Sequence, residues 1–424
     1  MTFQELNMNN QLLNAITKSG YLEPTAIQAQ AIPHILAGKD MLGSAQTGTG
    51  KTAAFALPII QRIQESPIKH GKKQPKALIL APTRELALQI KESFTLYARF
   101  SQLRVVAIYG GVPKRNQIQN LKRGVDVIIA TPGRLLDLMM MKIIDLSTIE
   151  YYVLDEADRM LDMGFIHDVK SISESITSTH QTMLFSATLP PSILNLSKSL
   201  LNQPVRVEIA KDNTPLETIN QKIYYLDKAN KSALIQSILK DPAVYSALVF
   251  VRTKQGANRL MKSLNDAGVE CGAIHGNKTQ AQRQSTLNLF KQHKIRVLVA
   301  TDVASRGIDI DALSHVINYD LPETPDTYLH RIGRTARAGK LGTSISLCSP
   351  EERHLVKSIQ AHINMVIPIE SDHPFKQKKP VFKPSFAPQE NKKKSRNRQK
   401  NNTRSRDYQF TAKKKKPYKQ YASA

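Results

Sequence analysis

Apolar residues recur along this chain in short unbroken runs, with stretches of helical spacing between them. Continuous runs at 76–82, 104–111, 125–131, 151–155 and 181–188 predict strands buried on both faces, as in a parallel sheet, rather than alternating half-exposed ones. A further strand at 40–44 leads into a glycine-rich turn and a helix predicted over 53–62. After a polar stretch, Lys211-Asp212-Asn213-Thr214-Pro215, the pattern restarts, with strands predicted at 247–252, 272–275, 296–302, 315–320 and 344–348. Strands alternating with helices place the chain in the α/β class as two tandem domains, each built around a parallel sheet. The predicted boundaries are 1–210 for the first domain, 211–218 for a linker, 219–370 for the second domain and 371–424 for a tail. No residue-level repeat relates the two halves.

Charge separates the tail from the body. The chain of 424 residues carries a net +25, and 376–424 holds 17 Lys+Arg against 2 Asp+Glu, which is most of that excess. With almost no aliphatic residues, this segment cannot bury enough surface to offset the entropy of ordering it, so a disordered basic tail is expected. Phe382, Phe386, Tyr408, Phe410, Tyr418 and Tyr421 lie among the cations and can stack on bases, which points to nucleic acid as the polyanionic partner. Two cysteines, Cys271 and Cys348, make neither a disulfide framework nor a metal cluster and are expected as buried thiols. No apolar run approaches membrane-spanning length and the N-terminus has no basic patch before an apolar core, so a cytoplasmic protein with no membrane contact is expected.

The chemistry begins at Ala45-Gln46-Thr47-Gly48-Thr49-Gly50-Lys51-Thr52, between a strand and a helix. Glycines there let backbone N–H groups converge on phosphate oxygens, Lys51 reaches the outer phosphates, and the Thr52 hydroxyl faces a magnesium ion. Ala45 stands where the general pattern has glycine. The strand at 151–155 runs straight into Asp155-Glu156-Ala157-Asp158, so acids gather at its carboxyl end, where open parallel sheets bind ligands. Asp155 is placed to hold magnesium and Glu156 to orient or deprotonate an attacking water. Met139-Met140-Met141, Met160 and Met163 sit at helical spacing and read as packing.

The acids and the phosphate loop together resemble the DEAD-box ATP-dependent RNA helicases of superfamily two, and the likeness runs from about Phe3 to Ile369. It implies two RecA-like domains, ATP with Mg2+, RNA as partner, and unwinding of short duplexes coupled to hydrolysis. Gly20-Tyr21-Leu22-Glu23-Pro24-Thr25-Ala26-Ile27-Gln28 resembles the family's Q motif, in which Gln28 reads the adenine edge while Phe3 and Tyr21 stack on the base. By the same likeness Pro82, Thr83, Arg84, Gly111, Thr131, Gly133 and Arg134 grip RNA from the first domain, and Arg252, Thr253, Thr301 and Arg306 from the second. Ser186 and Thr188 are expected to bond Asp158 and tie hydrolysis to domain closure. Asp309 meets the ribose, and Arg334 and Arg337, about one helical turn apart, act as arginine fingers. Glycine is commoner in the family where this chain has Ala336, a methyl that a helix accommodates. The wider context is similar to the bacterial RhlE-type subgroup, and ribosome-assembly or RNA-decay proteins are expected among the partners that the family resemblance implies.

The tail yields a test from physics alone. As a tether it adds affinity through counterion release without touching the nucleotide site. A chain ending at Pro374 should therefore keep its turnover at saturating RNA and need more RNA for half-maximal stimulation. Losing about five phosphate contacts should flatten the slope of log affinity against log salt by about three to four. RNA binding and RNA-stimulated ATPase across a salt series check this.

Overall fold

The computed structural model describes residues 1–46, 48–66, 74–209, 218–302, 313–336 and 341–375. Residues 211–217 of the expected linker, 376–424 of the expected tail, and Thr47, Arg306, Asp309 and Arg337 lie outside the described residues.

The first lobe is built on seven parallel strands: β1 (Met41–Ser44), β2 (Ala77–Leu80), β3 (Val105–Ile108), β4 (Val127–Ala130), β5 (Tyr151–Leu154), β6 (Gln181–Ser186) and β7 (Val205–Glu208). Their order across the sheet is β3-β4-β2-β5-β6-β1-β7. Successive side chains enter opposite faces, as a pleated strand requires. Ala77, Ile79, Val127, Ile129 and Val153 join one core, and Leu78, Leu80, Ile128, Ala130 and Leu154 join the other. Helices α2 (Ala26–Leu36), α3 (Lys51–Glu65) and α4 (Arg84–Tyr97) cover the first face, while α6 (Pro132–Met140) and α8 (Ile166–Glu174) contribute to the second. Both faces are covered, so the strands read as unbroken apolar runs.

The second lobe has six parallel strands: β8 (Ile219–Tyr225), β9 (Ala247–Phe250), β10 (Cys271–Ile274), β11 (Val297–Ala300), β12 (His315–Asn318) and β13 (Gly342–Cys348), in the order β10-β11-β9-β12-β13-β8. The alternation repeats, with Ala247 and Val249 in one core and Leu248 and Phe250 in the other. β7 and β8 were not among the expected strands. Both are edge strands, and β8 reads Ile-Asn-Gln-Lys-Ile-Tyr-Tyr with buried and open positions interleaved, so it offers no continuous apolar run. Apart from 40–44 and 344–348, which end where the observed strands do, the expected strands overrun the observed ones by one to three residues at their carboxyl ends, where turn residues follow.

A buried ion pair fixes one corner of this lobe. Lys231, which opens α10 (Lys231–Leu239), is 1% exposed. Its Nζ donates to the Tyr319 carbonyl at 2.7 Å and to Glu352 Oε2 at 2.6 Å. Burial alone would raise the Glu352 pKa, but Lys231 and the Ser349 donors outweigh it and hold the carboxyl below its usual value. The other Glu352 oxygen receives Arg252 Nη2 at 3.4 Å and the Leu321 N–H at 3.2 Å, so the network anchors the turn that carries Arg252 and Thr253. A charge this deep is tolerated only when paired and fully hydrogen-bonded.

Cys271 and Cys348 are both buried free thiols, and burial pushes each pKa up to about 12. The methionine expectation holds for Met160, at 2% exposure, and fails at Met140 and Met141, which are 83% and 47% exposed beyond the buried face of α6. Helical spacing locates a face but does not say where the core ends. No described helix is long and apolar enough to cross a membrane.

Candidate active site

Parallel strands present their carboxyl ends on one side, and the predicted residues of the first lobe gather there. β1 ends at Ser44, the Ala45 N–H donates to the Ser186 carbonyl at 3.1 Å, and the chain turns through Gly48 and Gly50, at φ +82° and +92°, into α3. An L side chain is strained in that conformation, so glycine is required at both turns. Lys51 folds back over its own loop, with Nζ 2.7 Å from the Ala45 carbonyl and 2.9 Å from that of Gln46. Burial lowers its pKa, and Asp155, Glu156 and Asp158 pull the other way.

Gln28 is 1% exposed and bridges two elements. Its Oε1 accepts the Thr25 N–H at 3.0 Å, closing a capping box on α2, and its Nε2 donates to the Gly50 carbonyl at 3.1 Å. One lone pair and one N–H remain for another partner. A methyl on Gly50 would lie 2.3 Å from that Nε2, a second reason for glycine there. Tyr21 and Tyr97 share a hydroxyl contact at 3.1 Å. Phe3 is packed into the first-lobe core at 4% exposure and presents little ring face to solvent.

Each acid after β5 has its own compensation. Asp155 is 2% exposed, and burial lifts its pKa to about 7 while Lys51 pulls it down. Glu156 takes the left-handed conformation, φ 54° and ψ 51°, at the start of α7 (Ala157–Asp162), and its Oε2 lies 2.6 Å from Arg159 Nη1. Asp158 Oδ2 accepts three donors: the Ala187 N–H at 3.1 Å, the Thr188 N–H at 3.0 Å and the Thr188 hydroxyl at 3.0 Å. Ser186 was expected to bond Asp158 as well, but its hydroxyl donates to the Thr188 carbonyl at 2.7 Å. Ser186 thereby shapes the turn that delivers the three donors.

The expected RNA residues of the first lobe fall into three linked turns. Thr83 caps α4, accepting the Leu86 N–H at 3.2 Å, and Pro82 beside it is buried. The Arg84 guanidinium lies so close to Gly111 that a methyl there would be 1.9 Å from Nη1; at φ +76°, Gly111 is a position only glycine fills. Arg134 donates to the Val112 carbonyl from Nη1 at 3.3 Å and from Nη2 at 3.2 Å, tying the Thr131-to-Arg134 turn to the Gly110-Gly111 turn from within. Thr131 and Gly133 lie at the start of α6. In the second lobe Thr253 caps α11 (Lys254–Asp266) through the Gly256 N–H at 3.0 Å, and Thr301 is buried after β11.

Arg334 does not lie on a helix, contrary to expectation. The helix α13 (Pro325–Ile332) stops at Gly333, and the chain turns so that Leu313 and Thr335 form a β-bridge and Ala336 sits at φ 54°. The methyl is therefore carried in a left-handed position and not on a helix, which is the physical reason glycine suits it better. Arg331, one turn earlier, is held by Asp302 through Nε at 2.6 Å and Nη2 at 2.7 Å, with Nη1 on Asn318 at 3.0 Å and the Asp320 carbonyl at 2.7 Å. It braces the segment that ends in Arg334.

Three residues that bring the lobes together were missed. Glu85, 4% exposed at the side chain, takes Arg283 Nη2 at 2.9 Å and Gln280 Nε2 at 3.2 Å, both from α12 (Gln280–Lys291) of the second lobe. In the sequence a Gln and an Arg at the start of a helix read as an ordinary polar face; only the tertiary contact marks them. Likewise, Asp158 and Arg159 of the first lobe act electrostatically on His330 of the second, whose pKa is lowered by burial first and then by Arg159.

Residues 25–196 match the family model for DEAD/DEAH box helicase, and residues 230–339 match that for the helicase conserved C-terminal domain. The RNA helicase CrhR of Synechocystis is 44% identical over 369 residues, covering 87% of this chain and 74% of that protein. The DEAD-box ATP-dependent RNA helicase CshA of Bacillus cereus is 41% identical over 359 residues, covering 85% of this chain and 67% of that protein. Among solved structures, S. cerevisiae Dbp5 bound to RNA and ADP BeF3 matches with a TM-score of 0.77 at 31% identity, over 87% of this chain and 95% of that one.

Two outcomes follow from the geometry. Arg283→Ala removes the main partner of buried Glu85; a charged hydrogen bond of about 1.5–3 kcal/mol is lost, so the equilibrium constant for lobe closure should fall roughly tenfold or more. Fluorescence transfer between dyes on the two lobes reads that directly. Ala336→Gly should raise the free energy of unfolding in urea by a few tenths to about 1 kcal/mol, because the methyl no longer opposes the left-handed backbone.

Proposed function

This chain belongs to the DEAD/DEAH box helicases, and from that premise we propose how its residues divide the work of an ATP-hydrolysing RNA helicase built from two RecA-like domains. ATP sits against the Gly48–Thr52 turn, where Lys51 leaves the Ala45 and Gln46 carbonyls for the outer phosphates. Gln28 uses its remaining lone pair and N–H on the adenine edge. Its bond to the Gly50 carbonyl then reports base identity to the phosphate loop. Phe3 is left out of the nucleotide contacts because its ring is already packed.

The donor set fits a magnesium ion. The Thr52 hydroxyl and the Asp155 carboxylate are hard oxygen ligands, and a carboxylate whose pKa burial lifts to about 7 gains most from a nearby divalent charge. When bound, the ion draws charge from the phosphate oxygens. Glu156, held by Arg159, orients and accepts a proton from the attacking water, and Arg334 brings positive charge from the second lobe to the outer phosphate. Arg84, Gly111, Gly133, Arg252, Thr253 and Thr301 hold one RNA strand by its backbone, which reads charge and shape and leaves base sequence unread. Asp309 and Arg306 complete the two sites from outside the described residues, as does Arg337.

Closure of the lobes on ATP and RNA assembles the hydrolytic site and displaces one strand of a short duplex; hydrolysis reopens it. The domain boundaries near 210 and 219, and action in the cytoplasm, belong to the same reading. The observation that carries it is the cluster at the end of β5, where Asp155 and Glu156 act electrostatically on the buried Lys51 while Asp158 is bound to the Ala187-Thr188 turn.

Glu156→Gln keeps the shape of the side chain and removes the base. ATP and RNA binding should persist while turnover falls by about 10²- to 10⁴-fold, the span for a positioned general base. Stopped-flow phosphate release decides it; a rate near that of the unaltered chain removes Glu156 from the role.

A further inference from the structure

The outer edge of the first sheet carries a feature that the core site does not use. β3 is the end strand, and along it runs a trough of ≈ 620 Å³ between α4 and α5 (Lys114–Lys122). Val112 and Pro113 form its mouth, directly after the Gly110-Gly111 turn, and Arg104 and Gly124 its far end. At about 3.3 Å per residue, the four residues of β3 give a path of roughly 13 Å.

The lining has one sign of charge. Lys91 and Arg104 are its ionisable cations, Tyr109 its one phenol, and no Asp or Glu lines it. α5 carries no acid in its whole length, and Arg115, Lys122 and the adjoining Arg123 are exposed. Of the nearby acids, Asp126 accepts the Arg104 N–H at 2.7 Å, and Asp137 is paired with Lys114 at 2.7 Å, so both are already engaged. Asn116 and Asn120 lie one helical turn apart on the trough side of α5, and neither has a side-chain hydrogen bond among the described residues. An amide both donates and accepts, and so does a ribose 2′-hydroxyl.

We propose that this trough holds the single-stranded RNA flank leaving the Gly110-Gly111 turn, with Lys91 and Arg104 on phosphates and Asn116 and Asn120 on ribose hydroxyls. The proposal rests on the reading that the turn grips RNA. It makes affinity depend on RNA length and favours ribose over deoxyribose outside the core site.

The test uses the full chain, a short RNA that fills the core site alone, a longer RNA with a flank, and a chimera with ribose in the core and deoxyribose in the flank. For the doubly substituted Lys91→Gln/Arg104→Gln chain, the slope of log affinity against log salt on the longer RNA should flatten by about 1.4, at about 0.7 per phosphate. Binding of the short RNA should not change. Asn116→Ala/Asn120→Ala, exposed helix substitutions that spare the charges, should erase most of the preference for the all-ribose strand over the chimera. An unaltered chain that binds the long and short RNAs equally, or long-RNA slopes that ignore the charge substitutions, overturns the proposal and leaves the edge to an extended peptide pairing with β3. Equal loss on the short RNA also overturns it, since the residues would then act by shaping the turn. Failure of the unaltered chain to bind the short RNA at all refutes the reading of the turn itself, a result distinct from the others.

Discussion

Three carboxylates at the end of one buried strand must each be compensated before the first lobe can fold. Asp155, Glu156 and Asp158 are all under 10% exposed, where an unpaired charge costs several kcal/mol or gives up its ionisation. Each is met differently. Asp155 has Lys51 across the loop, and its pKa nonetheless climbs to about 7; Glu156 has Arg159; Asp158 has the two amides and the hydroxyl of the Ala187-Thr188 turn. The division leaves Asp155 the least satisfied and Asp158, farthest along the turn, the most. Such a gradient suits a site that must accept new positive charge at one end and transmit a change of shape at the other.

The parallel topology makes that arrangement possible at small cost. β1, β5 and β6 are neighbours, so the phosphate loop, the acids and the Ser186-to-Thr188 turn leave adjacent strands on the same side. The second lobe repeats the plan. Its buried Lys231–Glu352 pair sets the Arg252 turn, and the Arg331–Asp302 pair braces the approach to Arg334, so each arginine is carried by a rigid polar network. Between the lobes, Glu85 with Arg283 and Gln280 is a contact whose gain depends on closure.

Much of this is legible in the amino-acid order. Unbroken apolar runs mark the strands that are covered on both faces, because burial on both sides leaves no polar position to confuse the pattern. β7 and β8 escape notice because polar residues interrupt their apolar runs, Arg206 and Glu208 in one and Asn220, Gln221 and Lys222 in the other. The phosphate loop and the acids are legible because their chemistry is local and contiguous. Arg159, Arg283 and Gln280 are not, since a side chain's partner across a fold leaves no trace in its neighbours. Ala336 shows a subtler limit: spacing of three residues implies a helix, whereas the backbone has already turned left-handed, a state that composition does not announce.

If the Asp158 bonds join hydrolysis to strand separation, weakening them should uncouple the two. Thr188→Val keeps the shape of the side chain and both amide donors and removes one donor, the hydroxyl 3.0 Å from Oδ2. The decisive measurement is ATP hydrolysed per strand displaced, with both products followed in one reaction on a short RNA duplex. RNA-stimulated hydrolysis should be largely kept while displacement drops, so the ratio rises several-fold. An unchanged ratio, with the two rates falling together or neither falling, would contradict it.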